Sequence, residues 1–187
     1  MKPNKQQKAF ERQTRPWRDR LYNVALRRAD IPARAEDWVQ ETLLRAWRDF
    51  SCLSDHVAIY AWLLKILDHV IVDDTRRDAR RQQLAPVVST DDVLLLEQRS
   101  VAPGPFEQTL QNQSDKHMIE IIKSLPDEFN SVILLRDIEG LSYREVAEIL
   151  GIPQGTVMSR LSRGRRLLST ILIKETNKIE ITPCGVG

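Results

Sequence analysis

The stretch LSYREVAEILGIPQGTVMSRLSRGRRLL, Leu141 to Leu168, constrains the fold more tightly than any other part of the chain. Ser142 and Glu145 stand at capping-box spacing, where the hydroxyl and the carboxylate satisfy amides that a helix start leaves without partners, so a helix is expected to begin there. Val146, Ala147 and Leu150 fall on its inner side, Ala147 is small enough for a close helix crossing, and Gly151 can take the left-handed backbone of a tight turn. Ile152 and Pro153 lead into a second helix. At about 100° per residue, Val157, Leu161, Gly164 and Leu168 share one side of it, while Ser159, Ser162, Arg163 and Arg166 lie roughly opposite with Met158 and Arg165 beside them. This is a helix-turn-helix pattern whose outer face is short-polar and arginine-rich, and residues 154–170 contain no acid. A run of arginines alone fits a merely solvated face. Capping box, small residue, turn glycine and acid-free face in this order fit DNA binding, because serine and arginine reach base edges while arginine also holds phosphate.

Upstream, Ala35, Trp38, Val39, Thr42, Leu43, Ala46, Trp47 and Phe50 recur at three- and four-residue steps and predict an amphipathic helix from Arg34 to Phe50, with Trp38 and Trp47 in the core. A second helix is expected from about Ile59 to Arg77, with Leu63, Ile66, Leu67, Val70 and Ile71 as its apolar side. Ser51 to Val57 between them reads as a loop. Residues 82–113 lose the periodicity, contain Pro86, Pro103, Gly104 and Pro105, and read as a linker; within it, Asp92 to Glu97 fits either a short helix or a docking segment. Patterning resumes at Ser114. Met118, Ile121, Ile122 and Leu125 lead to Pro126, a fresh helix start, after which Phe129, Val132, Ile133 and Ile138 face a core and Gly140 ends the helix. Lys174 to Gly187 shows no interpretable pattern. The expected fold is all-α: two small helical domains, residues 8–81 and 114–173, joined by a linker at 82–113 and followed by a tail at 174–187.

Charge follows the same division. Residues 1–81 carry 17 Lys/Arg against 12 Asp/Glu, a net +5; residues 82–113 carry 1 against 4, a net −3; residues 114–187 carry 10 of each. The basic residues 160–166 are thus a local concentration, of the kind that faces phosphate. No apolar run approaches the roughly 18 residues that span a bilayer, and Met1 to Arg20 lacks a signal-peptide core, so a cytoplasmic protein is expected. Cys52 and Cys184 have no second thiol or histidine at ligand spacing, which argues against a disulfide framework or a metal site. His56, His69 and His117 are scattered and no catalytic motif is present, so neither an enzyme, a cofactor nor a small-molecule substrate is expected. A stand-alone helix-turn-helix regulator shares the C-terminal segment but has no need of the patterned upstream half.

Ser124 to Leu168 closely resembles the C-terminal domain of the extracytoplasmic-function sigma factors of bacterial RNA polymerase. Independently, ARAEDWVQETLLRAWRDF, Ala33 to Phe50, resembles the family's polymerase-binding helix. AWLLKILDHVIVDDTRRDARR, Ala61 to Arg81, resembles its promoter-melting and minus-10-reading helix. The three matches lie in family order within residues 18–172.

The resemblance implies that the N-terminal domain docks on the polymerase β′ coiled coil and reads the minus-10 element, and that the C-terminal domain binds the β flap and reads the minus-35 element. It further implies control by an anti-sigma factor, which holds the chain at the inner membrane face where that factor is membrane-bound. Residue by residue, it places polymerase binding at Asp37, Gln40, Glu41, Leu44, Arg45 and Arg48, with Leu44 apolar on an otherwise polar face. Minus-10 binding falls on Phe50, Ser51, Ser54, Tyr60, Trp62, His69, Asp73, Arg76 and Arg77; Trp62 fits the core equally well, and the arginines fit a solubilising helix end. Minus-35 binding falls on Gln154, Thr156, Met158, Ser159, Arg160, Ser162, Arg163 and Arg166, where Met158 fits a thymine-methyl contact or a cover for the helix. Family members often carry asparagine at the position of His69 and arginine near Asp68 and Thr75, so a shifted minus-10 preference and a weaker local cationic field are expected.

Overall fold

The computed structural model describes residues 5–52, 59–84 and 113–180, and among these it is helical with no strand. The N-terminal unit comprises α1 (Lys5–Thr14), a 3-10 turn (Arg15–Trp17), α2 (Arg18–Leu26), α3 (Pro32–Asp49) and α4 (Ile59–Leu84). The C-terminal unit comprises α5 (Gln113–Lys123), α6 (Asp127–Ile133) running into a π-helical turn (Leu134–Ile138), α7 (Tyr143–Leu150) and α8 (Gln154–Glu180). The all-α expectation holds. The expected linker at 82–113, with its Asp92 to Glu97 stretch, lies outside the described residues apart from residues 82–84, which continue α4, and Gln113, which begins α5.

In the N-terminal unit the apolar stripe of α4, Ile59, Leu63, Leu64, Leu67, Val70 and Ile71, is buried against α2 and α3. Complete burial of a leucine such as Leu63 contributes about 1.5–3 kcal/mol. On α3, Ala35, Trp38, Thr42 and Ala46 face this core, and Thr42 returns its hydroxyl to the Trp38 carbonyl at 2.7 Å. Trp47 departs from the expected core position. It is 37% exposed, because the ring that covers it, Phe10 of α1, meets it only edge-on at 5.3 Å.

The C-terminal unit is built as the sequence predicts at both helix starts. Pro126 caps α6 in an extended conformation, and α7 opens with the complete Ser142–Glu145 box, Glu145 N–H donating to Ser142 Oγ and Ser142 N–H to the Glu145 carboxylate. These bonds hold the Glu145 carboxyl below its ordinary range. Gly140 and Gly151 both take positive φ, at 73° and 63°. Ile138 and Met118 are 39% and 40% exposed and leave the core to Ile119, Ile121 and Ile122 at one end and Leu134 and Leu135 at the other. Ile149, not Ala147 or Leu150, joins Val146 as the fully inward side of α7. Gly164 is the contact point of α8 on α6: a Cβ there would meet Ile133 Cδ1 at 2.9 Å and Phe129 Cβ at 3.1 Å. Helix α8 extends past the expected tail boundary at Lys174, to Glu180.

The two units pack on each other, α4 against α7, and their buried apolar residues form one continuous cluster. No helix among the described residues is long and apolar enough to cross a membrane, and none of these residues form a group able to hold a metal ion.

Candidate nucleic-acid interface

The candidate reading face of the C-terminal unit is the outer side of α8. Val157, Leu161 and Gly164 are buried and fix its rotation, which leaves Gln154, Met158, Ser159, Ser162, Arg163 and Arg166 exposed together. Thr156 is half-buried. Four arginines lie in this region and the fold separates them into two kinds. Arg165 makes a two-pronged bond to Asp137 at 2.6 and 3.0 Å, and Arg160 reaches Glu128 at 3.3 Å. Among the described residues Arg163 donates only to the Ser159 carbonyl and lies 5.8 Å over the Phe129 ring, and Arg166 meets no acid. Arg163 and Arg166 therefore keep their charge for an external anion. Arg160, grouped with them in the sequence reading, is turned toward α6.

On α4, the exposed side carries His69, Arg76, Arg77 and Arg80, with Trp62 half-buried beside them. Asp73 belongs to the same side, but its carboxylate is bonded to Arg45 of α3 at 2.9 Å, and Arg45 also holds Glu41 at 2.8 Å. The Arg45 bond, helped by the nearby Arg77 and Arg76, keeps the Asp73 carboxyl below its ordinary range. Asp68, at a position near which the family often carries arginine, adds no free negative charge to this side. It is buried and paired with Arg28 at 2.7 Å, whereas His69 is exposed.

Tyr60 is the largest departure in surroundings. Its ring stacks on Trp17 at 4.7 Å, Arg20 lies 4.4 Å over it, and its hydroxyl donates to Glu139 of the C-terminal unit at 2.5 Å. Arg20 bonds the same Glu139 carboxylate at 2.8 Å. Burial, then the bond to Glu139, pushes the Tyr60 hydroxyl far above the ordinary phenol range. In this arrangement Tyr60 is covered and not open to a base. Phe50 is likewise buried, edge-on to Phe10 at 5.2 Å; Ser51 is exposed, and Ser54 lies outside the described residues.

Of the α3 residues, Asp37, Gln40, Leu44 and Arg48 are exposed and lie along one side, with Glu41 and Arg45 half-buried at its edge. Leu44, 53% exposed, forms with Phe10, Leu43 and Trp47 the apolar wall of an open groove of about 550 Å³ between α1 and α3. Sequence reasoning missed the contributions of Phe10, Trp17, Arg20 and Glu139. Only the aromatic Phe10 on an otherwise polar α1 offered a signal.

This geometry coincides with two regions of a single family. Residues 14–81 match Sigma-70 region 2 and residues 118–168 match Sigma-70 region 4. The ECF RNA polymerase sigma factor SigW of Bacillus subtilis is 30% identical over 154 residues, covering 81% of this chain and 82% of that protein. The chain belongs to the extracytoplasmic-function sigma factors. The SigE sigma factor of Mycolicibacterium smegmatis is 31% identical over 91% of this chain, which spans 64% of that relative's length. Among solved structures, the sigma factor RpoE of Bartonella quintana, determined in complex with the anti-sigma factor NepR, superposes with a TM-score of 0.72 at 25% identity over 88% of this chain and 97% of that one. Sigma factors are specificity subunits of transcription initiation, and the matched regions take in α2, α3 and most of α4 on one side and α6, α7 and the first half of α8 on the other.

Proposed function

We propose that this sigma factor binds core RNA polymerase through the exposed side of α3, reads and melts the minus-10 element with α4, and reads the minus-35 element with α8. The observation that carries this reading is the sorting of α8, where Arg163 and Arg166 stand unneutralised beside exposed Ser159, Ser162 and Met158. Arginine forks and short hydroxyls are the groups that recognise base edges and phosphates in the major groove. The charge left on Arg76, Arg77 and Arg80 supplies the phosphate contacts that a melted strand needs. The chain contributes specificity and no catalytic step of its own, and it acts where the polymerase is, in the bacterial cytoplasm.

Two separated promoter elements cannot be read at once while α4 is packed on α7, so the units part when polymerase is bound. The contact of Tyr60 and Arg20 with Glu139 belongs to the resting arrangement. An anti-sigma factor wedged between the units or wrapped around them would hold the chain inactive, as the complex of the Bartonella relative with NepR suggests.

In vitro transcription with core polymerase on a library of genomic fragments tests this reading and reports both promoter elements. Initiation from a defined two-element promoter is expected only when the chain and core polymerase are both present. Tight, sequence-specific binding by the free chain would point instead to a stand-alone regulator. Leu44→Glu should reduce core binding more than tenfold, on the order of 2 kcal/mol for an apolar anchor at an interface, with the melting temperature unchanged.

A further inference from the structure

Ile71 is the last residue of α4 found buried among the positions described as far as Gln83, and the helix continues to Leu84. From Ile71 to Asp78 the axis advances roughly 10 Å at about 1.5 Å per residue, so the basic end of α4 extends past the buried stripe, and no side chain from Val72 to Gln83 is buried. At Asp74 and Asp78 the inward stripe of Leu67 and Ile71 continues at the same helical spacing, but as carboxylates. Both face Arg34 at the start of α3.

Arg34 donates from Nε to Asp74 at 2.8 Å and from a terminal nitrogen to Asp78, while a second terminal nitrogen lies 3.5 Å from Asp30. The buried Trp38 donates its indole N–H to the same Asp74 oxygen at 2.8 Å, and the Arg34 guanidinium lies 5.3 Å over the Trp38 ring. Burial works against the Arg34 charge, yet the bonds and field of Asp74, Asp78 and Asp30 outweigh it and raise its pKa. Burial likewise disfavours the Asp74 anion, but the bonds from Trp38 and Arg34 outweigh that and keep the carboxyl below its ordinary range. Isolated surface ion pairs contribute little, but a planar fork shared between two carboxylates and backed by an indole fixes direction as well as distance.

We infer that Arg34 is a positioning residue for promoter opening: it clamps the overhanging end of α4 to α3 and so aims Arg76, Arg77 and Arg80 at the DNA backbone. The inference rests on the proposed role of α4. Arg34 itself touches no DNA. It holds the acids of α4 against α3, and so also keeps Asp74 and Asp78 neutralised beside the phosphate path.

The test compares wild type, Arg34→Ala, and the exchanged pair Arg34→Asp with Asp78→Arg made together with Asp74→Asn, so that no carboxylate of α4 faces the new acid, each assembled with core polymerase on a promoter selected with the wild-type protein. Arg34→Ala is expected to lower the rate of open-complex formation about five- to tenfold, the loss of one or two phosphate contacts, with a shallower salt dependence and unchanged core binding. Amide exchange should rise in residues 74–84 and stay unchanged in residues 59–71. The exchanged pair should recover most of the opening rate. Opening at the wild-type rate by Arg34→Ala, failure of the exchanged pair to recover it, or an equal loss of core binding would each overturn the clamp. Absence of initiation by the wild-type holoenzyme would overturn the function of α4 and the clamp together, whereas an active wild type with an insensitive Arg34 overturns the clamp alone.

Discussion

The two helices assigned to DNA treat their charges differently. On α4 the acids are drawn into bonds with α3, Asp73 with Arg45 and Asp74 and Asp78 with Arg34, and the arginines are what remains. On α8 the helix has no acids in its reading segment, and the fold instead removes some of the arginines, tying Arg160 to α6 and Arg165 to the π-turn. The first helix is held in direction by its charges. The second is held by packing at Val157, Leu161 and Gly164, and of its outer charges Arg163 touches α6 only across the Phe129 ring while Arg166 meets no acid among the described residues. Recognition and support are therefore separable on α8 and entangled on α4.

The largest expected effect comes from the separable side. Arg163→Ala combined with Arg166→Ala should weaken holoenzyme binding to the minus-35 element by about 2–4 kcal/mol, at about 1–3 kcal/mol for each good base contact, as measured by competition on mutated promoters. The melting temperature should not change. A stability loss comparable to the binding loss would break the comparison.

A smaller effect is expected at the joint between the units. Glu139→Ala leaves the buried Tyr60 hydroxyl without its acceptor, a cost of about 1–3 kcal/mol, which should lower the urea midpoint and enlarge the radius of gyration in solution scattering. Unchanged dimensions would show that α4–α7 packing closes the pair without the Glu139 contacts.

The smallest effect is acid sensitivity. Asp73 and Asp74 have pKa values lowered by their partners, so the stability they contribute is complete above the unfolded carboxyl value of about 4 and is lost as pH falls through the lower folded values. Both groups are partly exposed, so solvent screening leaves less than about 1 kcal/mol for each. Urea midpoints at neutral pH and below the usual carboxylate range should therefore differ more for wild type than for an Asp73→Asn, Asp74→Asn variant. Equal shifts would show that α4 is held without these bonds.

Local signals in the sequence translated well into structure. The Ser142–Glu145 box, Gly140, Gly151, the start at Pro126 and the inner face of α8 all depend on residues within a few positions of each other, and each stands where it was expected. Non-local features did not. Tyr60 meets a carboxylate 79 positions away, and Arg34 meets one 44 positions away, distances over which no periodicity carries information. Trp47 has the spacing of a core residue, but how much of it is covered depends on α1, whose packing side rests on Phe10 and Thr14. Asp74 and Asp78 did carry a signal of their own: carboxylates continuing the stripe of Leu67 and Ile71 call for a cation on the facing helix.

Gly164 closes the space between α8 and α6 so completely that no side chain larger than hydrogen fits without displacement. With Val157 and Leu161 beside it, the backbone of α8 is anchored from its buried side, and of the exposed positions Met158, Ser159, Ser162, Arg163 and Arg166 only Arg163 touches α6, over the Phe129 ring. Those five positions form a rewritable surface. On the proposed reading, promoter preference can drift in a lineage, or be reassigned in the laboratory to give a sigma factor with its own private set of promoters, while the scaffold beneath stays as it is.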